Sequence, residues 1–191
     1  MKPVWKSAAA LMMALVLLLS GCAAKESPKA EEPAGEAADG ILSEFAAMDL
    51  DGNEVTAETA FGGYDLVMIN VWGTFCGPCI GEMPGLGEIS DEMADKNIRV
   101  VGILSDALNY DGSVKEDILA DAKEIVEKTG ADYLHIVPSE DLYFLLYQIQ
   151  SYPMTFFVDE NGCQVGYAYA GARDKEKWME IIEATLAEQQ E

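Results

Sequence analysis

Leu66-Val67-Met68-Ile69-Asn70-Val71-Trp72, followed at once by Gly73-Thr74-Phe75-Cys76-Gly77-Pro78-Cys79, is the stretch from which the fold is read. The run from Leu66 to Trp72 is apolar except for Asn70 and does not alternate. That pattern belongs to a strand buried on both faces, in the middle of a sheet. Gly73 interrupts it, and residues 76–96 then read as a helix. A strand feeding a helix is the first half of a β-α-β unit, whose chemistry gathers at the carboxyl end of the strand. Two cysteines stand there.

A C-x-x-C pair in this setting reads as a redox pair. Two intervening residues let the sulfurs meet in one turn. Cys76 falls at the helix N-terminus, where unpaired N–H groups and the helix dipole favour a thiolate, so it is read as the nucleophile. Cys79 lies within the first turn and is read as the resolving thiol. Pro78 suits a helix start, where a missing N–H costs little. Two other readings stay open. Half of a zinc site would need two more ligands, and Cys163 and the lone His135 are the candidates, with no second C-x-x-C or H-x-x-H. A purely structural disulfide would gain little chain entropy from so short a loop.

Working outward, Phe45–Met48 and Glu54–Thr56 form a hairpin about Asp51-Gly52-Asn53. Beyond the first helix come a buried strand at Ile98–Leu104, a helix at Val114–Thr129 stopped by Gly130, and a strand at Tyr133–Val137. A short helix at Asp141–Gln148 follows. Thr155–Val158 and Cys163–Tyr169 form a hairpin about Glu160-Asn161-Gly162, and an amphipathic helix at Asp174–Ala187 closes the chain. The order predicts an α/β fold, a central mixed sheet flanked by helices with an N-terminal β-hairpin extension. Pro84 is expected to kink the first helix.

The chain has 191 residues, enough for one domain with a real core. Its start is a leader rather than structure. Lys2 and Lys6 precede an apolar run at Ala8–Leu19, too short to span a bilayer comfortably. It ends in Leu19-Ser20-Gly21-Cys22, which resembles a bacterial lipobox. The resemblance implies a signal peptide over residues 1–21 and lipid on the Cys22 sulfur, with acyl chains anchoring the protein at about 0.8 kcal/mol per buried CH₂. An ordinary secretory signal with a chance cysteine is the alternative. Residues 22–40, rich in Ala, Glu and Pro, read as a lipid-anchored flexible linker, and residues 41–188 as the domain. Loss of the leader leaves a chain two units more negative than the full chain's −22. So acidic a surface argues against nucleic acid and anionic lipid headgroups, and for solubility.

A second motif lies 74 residues beyond Cys79, Ser151-Tyr152-Pro153-Met154-Thr155-Phe156-Phe157-Val158-Asp159. With W-x-x-x-C-G-P-C, Glu82, Pro84 and the leading hairpin, it resembles the thioredoxin superfamily, and within it the TlpA/ResA-like membrane-anchored oxidoreductases with their AhpC/TSA-redoxin type domain. The resemblance implies a cis bond before Pro153, a residue type that alone supplies it cheaply. It implies a redox disulfide between Cys76 and Cys79, and a client-facing edge of Trp72, Phe75, Gly77, Pro78, Tyr152 and Pro153. It also implies no cofactor beyond the dithiol and no metal. Clients would be exported disulfide-containing proteins, apocytochrome c among them, or other thiol enzymes outside the cytoplasm. Electrons would come from a membrane thiol donor of the CcdA/DsbD type.

Three positions depart from thioredoxin. Asn70 replaces a buried aspartate, Phe75 replaces a tryptophan, and Tyr152 replaces a smaller residue. Glu82 is then either a partly buried carboxylate that accepts a proton during exchange or an ordinary acid in a helix's first turns. Glu82 and Asp91 are expected to disfavour a thiolate and keep the pair a reductant. Cys163 reads as a half-buried thiol and His135 as structural. Two competing functions differ in class. A peroxiredoxin would carry Pro-x₃-Thr-x₂-Cys, but Ile69 and Gly73 stand at those positions. A lipoprotein that only binds a partner would not need the intact cysteine pair.

Overall fold

The computed structural model describes Gly40 and residues 42–189; the expected leader, Cys22 and nearly all of the linker lie outside them. Strands β1 (Ala46–Asp49) and β2 (Glu54–Thr56) form the N-terminal hairpin. Its turn is fixed by the Asp49 carboxylate, which accepts from the backbone of Asp51 and Asn53 at 2.8 Å each, while Gly52 takes the left-handed φ of 85° that the turn requires. The helix α1 (Ala57–Phe61) follows, where no element is expected. Five residues are too few to display a period. What starts α1 is a capping box, in which the Thr56 and Thr59 side chains each accept from the other's backbone N–H. Its purpose in packing is Phe61, fully buried against Phe45.

Next come β3 (Leu66–Trp72), α2 (Gly77–Met93, extended by a 3₁₀ turn at Ala94–Lys96) and β4 (Ile98–Leu104). Helix α2 runs unbroken through Pro84. Then follow α3 (Glu116–Thr129), β5 (Leu134–Val137), a 3₁₀ turn at Glu140–Leu142 leading into α4 (Tyr143–Gln148), β6 (Met154–Val158), β7 (Gln164–Ala170) and α5 (Lys175–Gln189). Helix α3 starts two residues later than expected because Val114 pairs with Leu108 in a β-bridge and the Lys115 N–H donates to the Ala107 carbonyl. Among the described residues no helix is long and apolar enough to cross a membrane.

The seven strands form one sheet in the order β2-β1-β5-β4-β3-β6-β7. Strands β3, β4 and β5 are parallel; β6 and β7 run antiparallel on one side, and β1 pairs antiparallel with β5 through Met48↔Val137 on the other. The hairpin is thus the continuation of the sheet past β5. All seven residues of β3 are buried, and five of them divide between two cores. Val67, Ile69 and Val71 face Phe61, Ile103 and Leu145; Leu66 and Met68 face Leu86, Ile89 and Trp178 from α2 and α5. Each fully buried aliphatic side chain contributes about 1.5–3 kcal/mol. A third cluster joins Trp72, Cys76, Cys79, Met83 and Leu104 at the carboxyl end of β3 and β4, and there the cysteines lie. Gly87 lets α2 close on α3, since a Cβ there would run into the Gly130 carbonyl.

Candidate active site

Cys76 and Cys79 form a disulfide with Cα atoms 5.3 Å apart. Cys76 is the N-cap of α2, and its sulfur accepts the Cys79 N–H at 3.2 Å. The sulfur therefore already occupies the place where a thiolate meets the positive end of the helix. Cys76 keeps 5% of its surface and Cys79 none, so an incoming group meets Cys76 first. Gly77 and Pro78 are exposed beside it. The loop before the pair is held by Asp106, whose carboxylate accepts from the Thr74 hydroxyl at 2.6 Å and from its N–H.

The bond between Tyr152 and Pro153 is cis. Pro153 is buried, and its carbonyl accepts from the Gly171 N–H at 2.9 Å. The Tyr152 ring meets Phe75 edge-on, with centroids 5.6 Å apart. Phe75 is 66% exposed, so the two rings form a ledge beside Cys76. Trp72 differs from Phe75, Gly77 and Pro78, which are exposed. It is fully buried, with the His135 ring edge-on at 5.4 Å, and so supports the turn from beneath rather than meeting a client.

Glu82 is 6% exposed, which favours the buried carboxylate of its two readings over the ordinary acid of a helix's first turns. It stands three residues after Cys79, so the two side chains share one face of α2. Its Oε1 accepts from Asn70 Nδ2 at 2.9 Å; its Oε2 accepts from the Arg173 N–H at 3.0 Å and from Trp178 Nε1 at 3.2 Å. Burial raises its pKa above the usual carboxylate value, against the opposing pull of these donors and the Arg173 charge. The Asn70 amide also donates to the Thr155 hydroxyl at 3.0 Å, tying β3, α2 and β6 together beneath the disulfide. A buried carboxylate with a raised pKa, on the same helix face as a buried thiol, can take a proton and give it back. Asp91 does not share this place. It is exposed, and the helix rise puts it about 18 Å beyond Cys79.

Arg173, Trp178 and Thr155 are missing from the sequence-based reading of the site. Arg173 acts mainly through its backbone N–H, which carries no residue-type signal, and secondarily through its charge. Trp178 reads simply as a core position of an amphipathic helix. His135 is buried and structural in its contacts: Nε2 lies 2.9 Å from the Ala131 carbonyl, and the ring stacks on Tyr133 at 4.4 Å. Cys163 is half-buried beyond the Gly162 turn, remote in the fold from the disulfide cluster, with its N–H donated to Asp159 at 2.9 Å.

The sequence model of the Redoxin family matches residues 29–185. The chain belongs to the Redoxin family. This redoxin is 26% identical to the thiol-disulfide oxidoreductase ResA of Geobacillus thermodenitrificans over 141 residues, 74% of each chain. It is 29% identical to the thioredoxin-like protein YneN of Bacillus subtilis over 130 residues, 62% of this chain and 64% of that one. Its fold matches the crystal structure of a thiol:disulfide interchange protein of the thioredoxin family from Chlorobium tepidum with a TM-score of 0.61 at 21% identity, covering 80% of this redoxin and 99% of the other chain. It is a ResA/TlpA-like thiol–disulfide oxidoreductase of the thioredoxin superfamily.

Proposed function

We propose that this redoxin reduces disulfides on exported proteins at the outer side of a bacterial membrane, to which a lipid on Cys22 holds it through residues 22–40. The observation that carries the chemistry is the Cys76 sulfur at the N-cap of α2, the more accessible of the pair, in a cluster against which Tyr152, the residue before cis-Pro153, packs.

In the reduced protein the Cys76 thiolate attacks one sulfur of the client disulfide. A mixed disulfide forms, and the client's other sulfur leaves as a thiolate that takes up a proton. Cys79 then loses its proton toward Glu82 and attacks the Cys76 sulfur. The mixed disulfide breaks, the client's second thiol is released, and the Cys76–Cys79 disulfide returns. Two electrons have passed from the protein to the client, and a membrane thiol donor of the CcdA/DsbD type restores them. The expected clients, apocytochrome c among them, follow from the likeness to ResA. Trp72 and Glu82 act from beneath the disulfide, and Phe75, Gly77, Pro78, Tyr152 and Pro153 meet the client.

Cysteine variants test this reading. Cys79→Ala is expected to accumulate a mixed disulfide between Cys76 and client, while Cys76→Ala loses exchange altogether. Trapping by Cys76→Ala instead would reverse the two roles. The anchor is tested separately by mass spectrometry of the mature N-terminus, where an unmodified Cys22 would remove it.

A further inference from the structure

A groove of about 440 Å³ opens on the far side of Tyr152 from Phe75, between the loop after β4 and helix α4. Its walls include Tyr110, Tyr143, Leu146, Tyr147 and Tyr152, and Lys115 is the one charged residue among the described lining residues. Tyr110 is fully exposed and Tyr147 is 85% exposed. Two exposed and two half-buried tyrosine rings gathered in one groove near a reactive pair mark a place for another chain. The groove is also pre-formed. The Tyr143 hydroxyl donates to the Asn109 carbonyl at 3.4 Å, joining α4 to the opposite wall. Lys115 Nζ donates to the Asp106 carbonyl at 3.0 Å, and the Asp106 carboxylate holds Thr74, two residues before Cys76. Little has to be ordered when a ligand arrives.

We propose that this groove seats an aromatic or large aliphatic side chain of the client, displaced from its reacting cysteine, with basic residues beyond; the proposal rests on the reading that client disulfides are reduced at Cys76. Three observations fix this occupant. First, Tyr152 is a wall shared between the groove and the ledge beside Cys76, so a chain bonded to Cys76 can continue into it. Second, the groove is lined by rings, hydroxyls and one lysine whose Nζ already donates to the Asp106 carbonyl, with no carboxylate among the described lining residues, so it disfavours a basic side chain and suits an uncharged one. Third, Leu108 separates it from an adjoining hollow with Glu54, Asp111, Glu140 and Asp141 on its walls. In a chain of net charge −22, that rim attracts a base lying past the anchor.

The test uses the reduced full chain and short synthetic peptides, each closed by one Cys-Gly-Gly-Cys disulfide. They carry Phe or Ser three residues before the first cysteine and a Lys-Lys or Glu-Glu pair ahead of that. Bis(2-hydroxyethyl) disulfide, too small to reach the groove, is the reference. The Phe, Lys-tailed peptide is expected to be reduced with a kcat/KM about tenfold above its Ser counterpart. Tyr147→Ala should erase that ratio, and Tyr147→Phe should keep it. The Lys tail should outpace the Glu tail at low salt and lose its lead as salt rises. Equal rates for the Phe and Ser peptides, with the small disulfide still reduced, would overturn the groove and leave the reductase reading intact. Failure to reduce any of the disulfides would overturn that reading and the groove with it. A Tyr147→Ala variant that changes sedimentation but not the peptide ratio would place a second copy of this chain on the groove and overturn the client assignment.

Discussion

Asn70 Nδ2 lies 2.9 Å from Glu82 Oε1, and both side chains are buried. Thioredoxin's strand aspartate is thus answered here by two residues. The strand supplies an amide donor, and the carboxylate comes from the helix, one turn beyond Cys79. The amide favours the charged form of Glu82 while burial favours the neutral one, and the balance lies on the side of burial.

The raised pKa of Glu82 has a definite sign. The folded protein holds this proton to higher pH than the unfolded chain. Its contribution to stability is complete below the unfolded value, near the usual 4.5, and is lost as pH rises through the folded pKa. Urea titrations of Glu82→Gln should therefore lack a fall in stability that the wild type shows across that window. Disulfide exchange by the variant should fall by about 10²-fold if the carboxylate carries the Cys79 proton. An unchanged rate would limit Glu82 to a structural part.

His135 acts in the opposite direction. Burial lowers its pKa from the usual 6.5 to about 4. The unfolded chain takes up the proton first, so the stability that neutral His135 contributes is present above about 6.5 and is lost as pH falls toward 4. The full loss is about 3 kcal/mol. His135→Gln, which can still donate to the Ala131 carbonyl, should flatten this acid limb. Thermal melts between pH 4 and 7 check it, and a wild-type limb of equal steepness in the variant would assign the slope to other groups.

Gly102 sits on β4 where His135 and the Trp72 indole converge, and a Cβ there would run into both rings. Gly102→Ala is expected to cost about 1–3 kcal/mol by overpacking. Because Trp72 supports the Cys76 turn, the same variant should shift the reduction potential. Urea melts and a redox titration measure the two effects, and a neutral substitution would show that the rings have room to move.

The Gly77-Pro78 dipeptide and the buried acid at Glu82 both favour a reductant. A glutathione titration is expected to place the pair nearer thioredoxin, at about −270 mV, than the oxidant DsbA, at about −120 mV. A midpoint well above about −180 mV would reverse the direction of electron flow.

Much of this molecule was legible along the chain. The seven apolar residues of β3, the C-x-x-C at its end and the helix after it are short-range patterns, and hydrophobic period with cap chemistry determines them locally. So the sequence by itself determined the α/β order, the paired cysteines and the order in which they are exposed, while the proline edge was legible only through the resemblance to a known family. Helix α1 escaped because a five-residue element rests on one capping box. The placement of Glu82, by contrast, needed partners 12, 91 and 96 positions away, at Asn70, Arg173 and Trp178. The client-side groove likewise draws its walls from the loop after β4, from α4 and from Tyr152. Only the tertiary structure decided these, because a carboxylate's burial and a groove's shape depend on which distant segments pack together, and no local pattern of residues encodes that distance.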